Sequence, residues 1–206
     1  MKPTAQDPYT ASPADVFLET DRLVLRQFTE ADLDNLVELD SDPEVMHWVN
    51  GGRPTPRAAL RDDLSWYIGY YERYPGFGFW AANEKSSGDF LGWFHFRPQP
   101  GVDVNLTEPE LGYRLRKSAW GKGYGTEGAR ALIHRGFADP RVQRVVASTD
   151  AINIASRRVM EKCGMVLVRT FFGPRPDDPD GAVLEAVEYA LERSAWEQAA
   201  AHEKRS

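Results

Sequence analysis

The stretch Trp120–Gly128, "WGKGYGTEG", decides how this chain folds. Gly123, Gly125 and Gly128 spell G-x-G-x-x-G, the pattern of a dinucleotide-binding turn. Such a turn belongs directly after an opening, near-continuously apolar strand of a parallel sheet buried on both faces. Here the preceding segment, "LGYRLRK", alternates apolar with basic residues, and several strand-like segments come before it. Asp150 stands roughly where a ribose-binding acid would lie, but the chain from Ala151 to Ser206 is too short for the second half of a dinucleotide domain. No G-x-x-x-x-G-K-[ST] loop exists either. What remains is an anion cradle. Gly121, Gly123 and Gly125 permit turns barred to other residues, a helix expected from Thr126 adds its positive N-terminal end, and Lys122 adds a charge. A pyrophosphate is the expected guest.

Outward from the loop, Ala129, Leu132, Ile133 and Phe137 form the buried stripe of that helix, which runs to Ala138. "VQRVVAST" is a strand, and Asn153 caps a helix reaching Cys163, stopped by Gly164 in a left-handed conformation. "MVLVRTFF" and "AVLEAVEYAL" are two last strands around the loop "GPRPDDPDG", and a polar helix follows from Ser194. Before the loop, "LETDRLVLRQF" reads as one strand, with Leu23 and Leu25 facing a core. Thr29 and Asp32 make a capping-box-like helix start, a short helical piece spans Pro43 to Val49, and Pro56 opens a long amphipathic helix at its first position. "FGFWAANE", "DFLGWFHFR" and "PELGYRLRK" are three strands. Antiparallel hairpins with two crossover helices make an α+β domain with a mixed sheet.

Residues 1–14, rich in Pro, Thr, Ser and Ala, read as a flexible tail before a single domain at 15–206. A formal net charge of -6 argues against a general nucleic-acid or anionic-membrane binder. One cysteine, Cys163, rules out an intrachain disulfide. With no signal-peptide core and no bilayer-length apolar run, a cytoplasmic location is expected. Four scattered histidines without metal-ligand spacing predict no metal.

The run Trp120-Gly121-Lys122-Gly123-Tyr124-Gly125 resembles the (Gln/Arg)-x-x-Gly-x-(Gly/Ala) signature of GNAT N-acetyltransferases, Trp being a departure at the first position. "LETDRLVLRQFTEADLDNLVEL", "SDPEVMHWV", "ELGYRLRKSAWGKGYGTEG" and "NIASRRVMEKCGM" resemble, in order, blocks of the branch that contains the ribosomal-protein-alanine N-acetyltransferases. The likeness runs from about residue 17 to residue 192. It implies a GNAT-like mixed, mostly antiparallel, centrally splayed sheet flanked by helices, with acetyl-CoA as cosubstrate in the gap. Leu115, Arg116, Lys122, Gly123, Tyr124, Gly125, Thr126, Asn153, Ser156 and Arg158 are then the expected cofactor contacts. The resemblance places Arg158, rather than Arg157, where the family shows arginine.

Acetyl transfer to an amine needs a proton acceptor, an oxyanion donor and a proton for the leaving thiolate. Glu110 opens the strand that the resemblance places along the gap and is the first choice for base, against the plainer reading that it pairs with an arginine. Glu108 is a substitute nearer the loop. An N–H between Arg114 and Arg116 serves the oxyanion. Ser156 and Asn153, three apart at a helix start, are candidates for the thiolate's proton, although Asn153 also reads as a plain N-cap. His47 and His95 read as packing residues, His95 as a satisfied side chain in the sheet, and Cys163 as a buried apolar group. The aromatic residues between Trp66 and Phe96 read mostly as core, with a surplus left for an acceptor pocket. The acidic run Asp177 to Asp180 reads as a solvated loop. Direct attack in a ternary complex is the expected reaction. The acceptor is either a protein N-terminal α-amine or a small amine such as an amino sugar, antibiotic or amino acid. A non-catalytic acyl-CoA sensor is the alternative from another class, and edge strands offer a homodimer surface.

Overall fold

Leu23 and Leu25 bury completely, as their alternation with Arg22, Val24 and Arg26 requires. The computed structural model describes residues 15–98, 104–174 and 183–203; the tail at 1–14 and the acidic run at 177–180 lie outside them. "LETDRLVLRQF" is not one strand but parts of two, β1 (Val16–Glu19) and β2 (Leu23–Arg26), paired antiparallel. The reason is local. Thr20 turns the chain, its Oγ1 accepting the Leu23 N–H at 2.9 Å.

Asp32 then accepts from the Thr29 N–H at 2.9 Å and from both Arg26 nitrogens at 2.7 and 2.8 Å, closing a single turn that leads into α1 (Leu33–Ser41). Asp42 caps α2 (Pro43–Asn50) by accepting from Glu44 N–H, and Gly51 ends it at φ 81°. Pro56 sits one residue before α3 (Arg57–Arg73) rather than in its first position. The strands β3 (Gly78–Glu84), β4 (Phe90–Pro98) and β5 (Pro109–Leu115) follow, then α4 (Tyr124–Phe137). The chain finishes through β6 (Arg144–Asp150), α5 (Ile154–Lys162), β7 (Val166–Pro174), β8 (Val183–Glu192) and α6 (Arg193–Glu203).

The sheet order is β1-β2-β3-β4-β5-β6-β8-β7, and β5 with β6 is its parallel pair. Odd and even residues of β4 serve opposite layers. Trp93 turns toward Tyr67 of α3, while Phe94 and Phe96 meet α4 at Gly128 and Gly136. A Cβ at either glycine would lie 2.3 Å from a phenylalanine ring carbon, so α4 rides directly on the sheet. Phe94 and Phe96 are 0% and 2% exposed. They are the centre of the core.

Candidate functional site

β5 and β6 register at one pair, Glu110 with Val146, whereas β6 and β8 stay paired from Arg144–Glu192 to Asp150–Ala186. Beyond Glu110 the two parallel strands part. α4 follows β5 and α5 follows β6, so the gap opens at the carboxyl ends of the strands between two helix N-termini. A cavity of about 760 Å³ occupies it, within the usual size of a small-molecule site.

One limb of the cavity runs along the glycine loop. Gly121 (φ 70°) and Gly123 (φ 87°) take left-handed conformations, and Gly123 starts α4 at Tyr124, two residues before the expected Thr126. The first intrahelical bond is Glu127 N–H to Gly123 C=O at 3.0 Å. The N–H groups of Tyr124, Gly125 and Thr126 therefore have no partner inside the helix and stand ready for an anion. The loop is also clamped from behind. Arg22 pairs with Glu127 at 2.6 Å and donates to the Lys122 carbonyl at 3.0 Å. Gly125 rests against the Tyr113 ring, where a Cβ would meet carbon at 3.5 Å.

Not every expected cofactor contact faces this limb. Arg116 is turned away: its guanidinium binds Glu38 at 2.8 Å and covers Phe90, and its N–H donates to Leu91 C=O. It does not line the cavity, and since backbone N–H groups along an antiparallel strand alternate between its two sides, the Arg116 N–H bonded to β4 leaves the Leu115 N–H on the other side. Leu115 is thus the residue of the Arg114–Arg116 window whose N–H faces the gap; its carbonyl accepts Trp120 Nε1–H at 2.8 Å. The Tyr124 side chain is buried under Arg22 and donates to Glu84, leaving only its backbone for a ligand. The Lys122 residue is exposed.

α5 supplies the second wall. Asn153 caps the helix, its Oδ1 accepting from Ser156 N–H at 3.1 Å. The Ser156 side chain hydrogen-bonds the Tyr113 hydroxyl, which burial pushes up in pKa against that bond's downward pull. Arg157 is occupied by the Tyr189 hydroxyl and the Ala151 carbonyl, and of these two neighbouring arginines Arg158 is the one on the cavity wall. Cys163 is buried, its thiol pushed up to about 11, as an inert packing residue requires.

The cavity is also lined by Val45, Trp48 and Val49 of α2, Trp93 of β4, and Phe171 of β7. Glu110, on the same lining, pairs with Arg97 across the strand register at 2.8 Å. Burial raises the Glu110 carboxyl above its ordinary pKa, opposed by Arg97 and assisted by Glu188. Glu108 is held by Arg144 at 2.8 Å instead. His95 corrects the sequence reading. The residue is partly buried and its Nε2 fully so, but that nitrogen makes no hydrogen bond and lies 3.8 Å from Glu110 Oε2. Burial, with Arg97 and Arg114, holds its pKa well below 6.5, so the ring is neutral. His47 is exposed and stacks edge-on with Trp48.

Tyr113, His95, Arg97 and Trp48 were not assigned to the site from the sequence. Arg97 and Glu110 are separated by a loop that hides their register, and Tyr113 has the spacing of an apolar strand face. Among the described residues no group of His, Cys, Asp and Glu side chains is arranged to hold a metal. No helix among them is long and apolar enough to cross a membrane.

Comparison with known proteins agrees with this geometry. Residues 22–166 match the family model described as the acetyltransferase (GNAT) domain. The chain is 33% identical over 183 residues to the FsC-acetyl coenzyme A-N(2)-transacetylase of Aspergillus fumigatus, covering 87% of this chain and 77% of that one. It is 29% identical over 198 residues to an aminoglycoside N(6')-acetyltransferase type 1 of Klebsiella pneumoniae, covering 84% and 87%. RimL, a ribosomal L7/L12 α-N-protein acetyltransferase solved with coenzyme A, shares the fold at a TM-score of 0.72 and 17% identity, covering 88% of this chain and 99% of that one.

Proposed function

The chain belongs to the GNAT acetyltransferase family and is an N-acetyltransferase with acetyl-CoA as cosubstrate; on that premise we propose that its acceptor is a primary amine on a small molecule with an apolar or flat body. One observation carries the reading: the same cavity that the glycine loop lines is also lined by Trp48, Trp93 and Phe171 and by Glu110. Glu110 on the cavity lining is matched by Arg97, and Arg114 on the lining is matched by Asp40. That arrangement suits one amine on an apolar body better than a polycation. The relative that acts on FsC and the one that acts on aminoglycosides support a small acceptor. The protein N-terminus favoured by the sequence resemblance is the second reading, and the shared fold with RimL supports it.

In the proposed reaction the first-turn N–H groups of α4 hold the pyrophosphate of acetyl-CoA and the thioester lies beside β5. The amine enters as ammonium and loses one proton to the Glu110 carboxylate. Its lone pair forms the C–N bond at the thioester carbonyl carbon, while the Leu115 N–H receives the oxyanion. Collapse breaks the C–S bond. The thiolate is protonated from the Tyr113–Ser156 hydroxyl pair, which regains a proton from the nascent amide nitrogen. No covalent acetyl-enzyme forms, consistent with an unreactive Cys163.

A thiol-release assay tests this. Wild-type protein with acetyl-CoA is offered aromatic and aliphatic monoamines, aminoglycosides and peptides beginning with Ala or Ser. The expected result is the highest kcat/KM on a compact monoamine. A peptide as best substrate overturns the acceptor assignment. Coenzyme A binding with no thiol released from any amine would instead make the protein an acyl-CoA sensor.

A further inference from the structure

Within the base assigned to Glu110, one neighbouring group has no task in the reaction as written. His95 Nε2 is a buried ring nitrogen without a hydrogen bond, 3.8 Å from Glu110 Oε2. An unpaired polar atom in such a place costs stability unless it gains a partner at some stage of the cycle. The fold also makes room for it. Gly112, the register partner of His95, has no left-handed φ to explain its lack of a side chain. A Cβ there would lie 2.5 Å from both Cε1 and Nε2 of His95. The ring is held from its other sides by Phe79 and Trp93, at centroid distances of 5.5 and 5.9 Å. The missing methyl is what seats the imidazole edge beside Glu110.

We propose that His95 is the positioning partner of the base: its free Nε2 accepts a hydrogen bond from the Glu110 carboxyl once that group has drawn a proton from the amine. This rests on the reading of Glu110 as base. The carboxylate needs no such bond while ionised, since Arg97 already donates to Oε2. On gaining a proton it becomes an O–H donor and weakens its hold on Arg97, and the neutral imidazole is the acceptor within reach. The N–H bond of the ammonium breaks, the carboxyl O–H bond forms, and the proton is shared toward Nε2 before it returns to solvent. The charged groups around this corner are Arg97 on β4, Arg114 on β5, and Glu188 on β8 with its partner Arg169. Hydrogen bonding to the protonated form makes a carboxylate a stronger base, which is what a lysine-like or aliphatic amine demands of it.

The test is the acid limb of the kcat/KM profile with the best amine of the panel, for wild type, His95→Leu, His95→Gln and Glu110→Gln. His95→Leu, which has no acceptor, is expected to move the limb to lower pH by about one unit and to lower kcat about ten-fold, with coenzyme A affinity unchanged. His95→Gln, which keeps an acceptor near the Nε2 position, is expected to restore most of both. Gly112→Ala pushes the ring off Glu110 without replacing a titratable group, and reports the same shift in case the leucine variant fails to fold. A limb that stays in place or moves up in the folded variants overturns the role of His95 and leaves Glu110 as base. A Glu110→Gln protein with wild-type turnover and limb overturns the base assignment, and this inference falls with it.

Discussion

Replacing Gly128 by alanine tests whether the third glycine of the loop motif serves packing rather than the ligand. The new Cβ would lie 2.3, 2.7 and 2.8 Å from the Cζ, Cε1 and Cε2 atoms of Phe94. Ordinary carbon contacts need about 3.5–4.0 Å, so the ring or the helix has to give by roughly 1 Å or more. Phe94 is 0% exposed and has Tyr113 beside it at 5.6 Å, so the ring has nowhere to retreat and α4 rises. Overpacking of this kind costs about 1–3 kcal/mol. Alanine's better helix propensity returns less than about 1 kcal/mol of that. The expected net loss, on the order of 1–2 kcal/mol, lowers Tm by roughly 2–8 °C in a chain of this size. Lifting the first turn of α4 also displaces the N–H groups of Tyr124 to Thr126, so coenzyme A binding weakens. Gly125→Ala is the control, since its Cβ would meet Tyr113 at 3.5 Å, an ordinary contact. Thermal unfolding followed by circular dichroism and calorimetric titration with coenzyme A read both effects. A Gly128→Ala protein as stable as Gly125→Ala would refute the packing argument.

Further outcomes follow from other residues. Gly123→Ala places a side chain at φ 87°, which costs roughly 1–2 kcal/mol, and calorimetry should record about 5- to 30-fold weaker coenzyme A binding; unchanged affinity would show that the loop conformation is not what the anion selects. Cys163, with its thiol pushed up to about 11 by burial, is expected to resist a disulfide-exchange reagent at pH 8 and to react once urea unfolds the chain; fast labelling of folded protein contradicts its buried placement. Burial acts to raise the Asp32 pKa, but bonds from Arg26 and the Thr29 N–H outweigh it and hold the carboxyl below its usual value. Its contribution is therefore full above the unfolded pKa of about 4 and lost as pH falls through the folded value. Asp32→Asn should flatten acid unfolding curves below about pH 4 and leave the neutral protein less stable; an unchanged pH dependence would show that this cluster contributes nothing.

The three motif glycines turn out to have three separate tasks, and the sequence pattern alone could not separate them. Gly123 supplies a left-handed turn, Gly125 lets a ring and a ligand approach, and Gly128 brings helix and sheet together. Only the conformational permissiveness of glycine is visible in one dimension. Gly123 is required by its own φ of 87°, whereas the neighbour that bars a side chain at Gly128 is Phe94, distant in the chain and on another element.

Sequence pattern by itself determined the helices, most of the strands, the Thr29–Asp32 capping box and the caps at Asn153 and Gly164, because those depend on contacts within a few residues. It determined the anion cradle for the same reason: a glycine turn entering a helix is a local object. The turn that splits the first strand is also held from far along the chain, by Glu127 accepting from the Thr20 hydroxyl and the Arg22 N–H, and the departure of Arg116 from the cavity needed the β4–β5 pairing. The corner formed by Glu110, Arg97 and His95 is wholly tertiary. Strand register pairs residues across a loop whose length carries no information about it, and only a folded sheet places a carboxylate, a guanidinium and an unbonded imidazole within reach of one another.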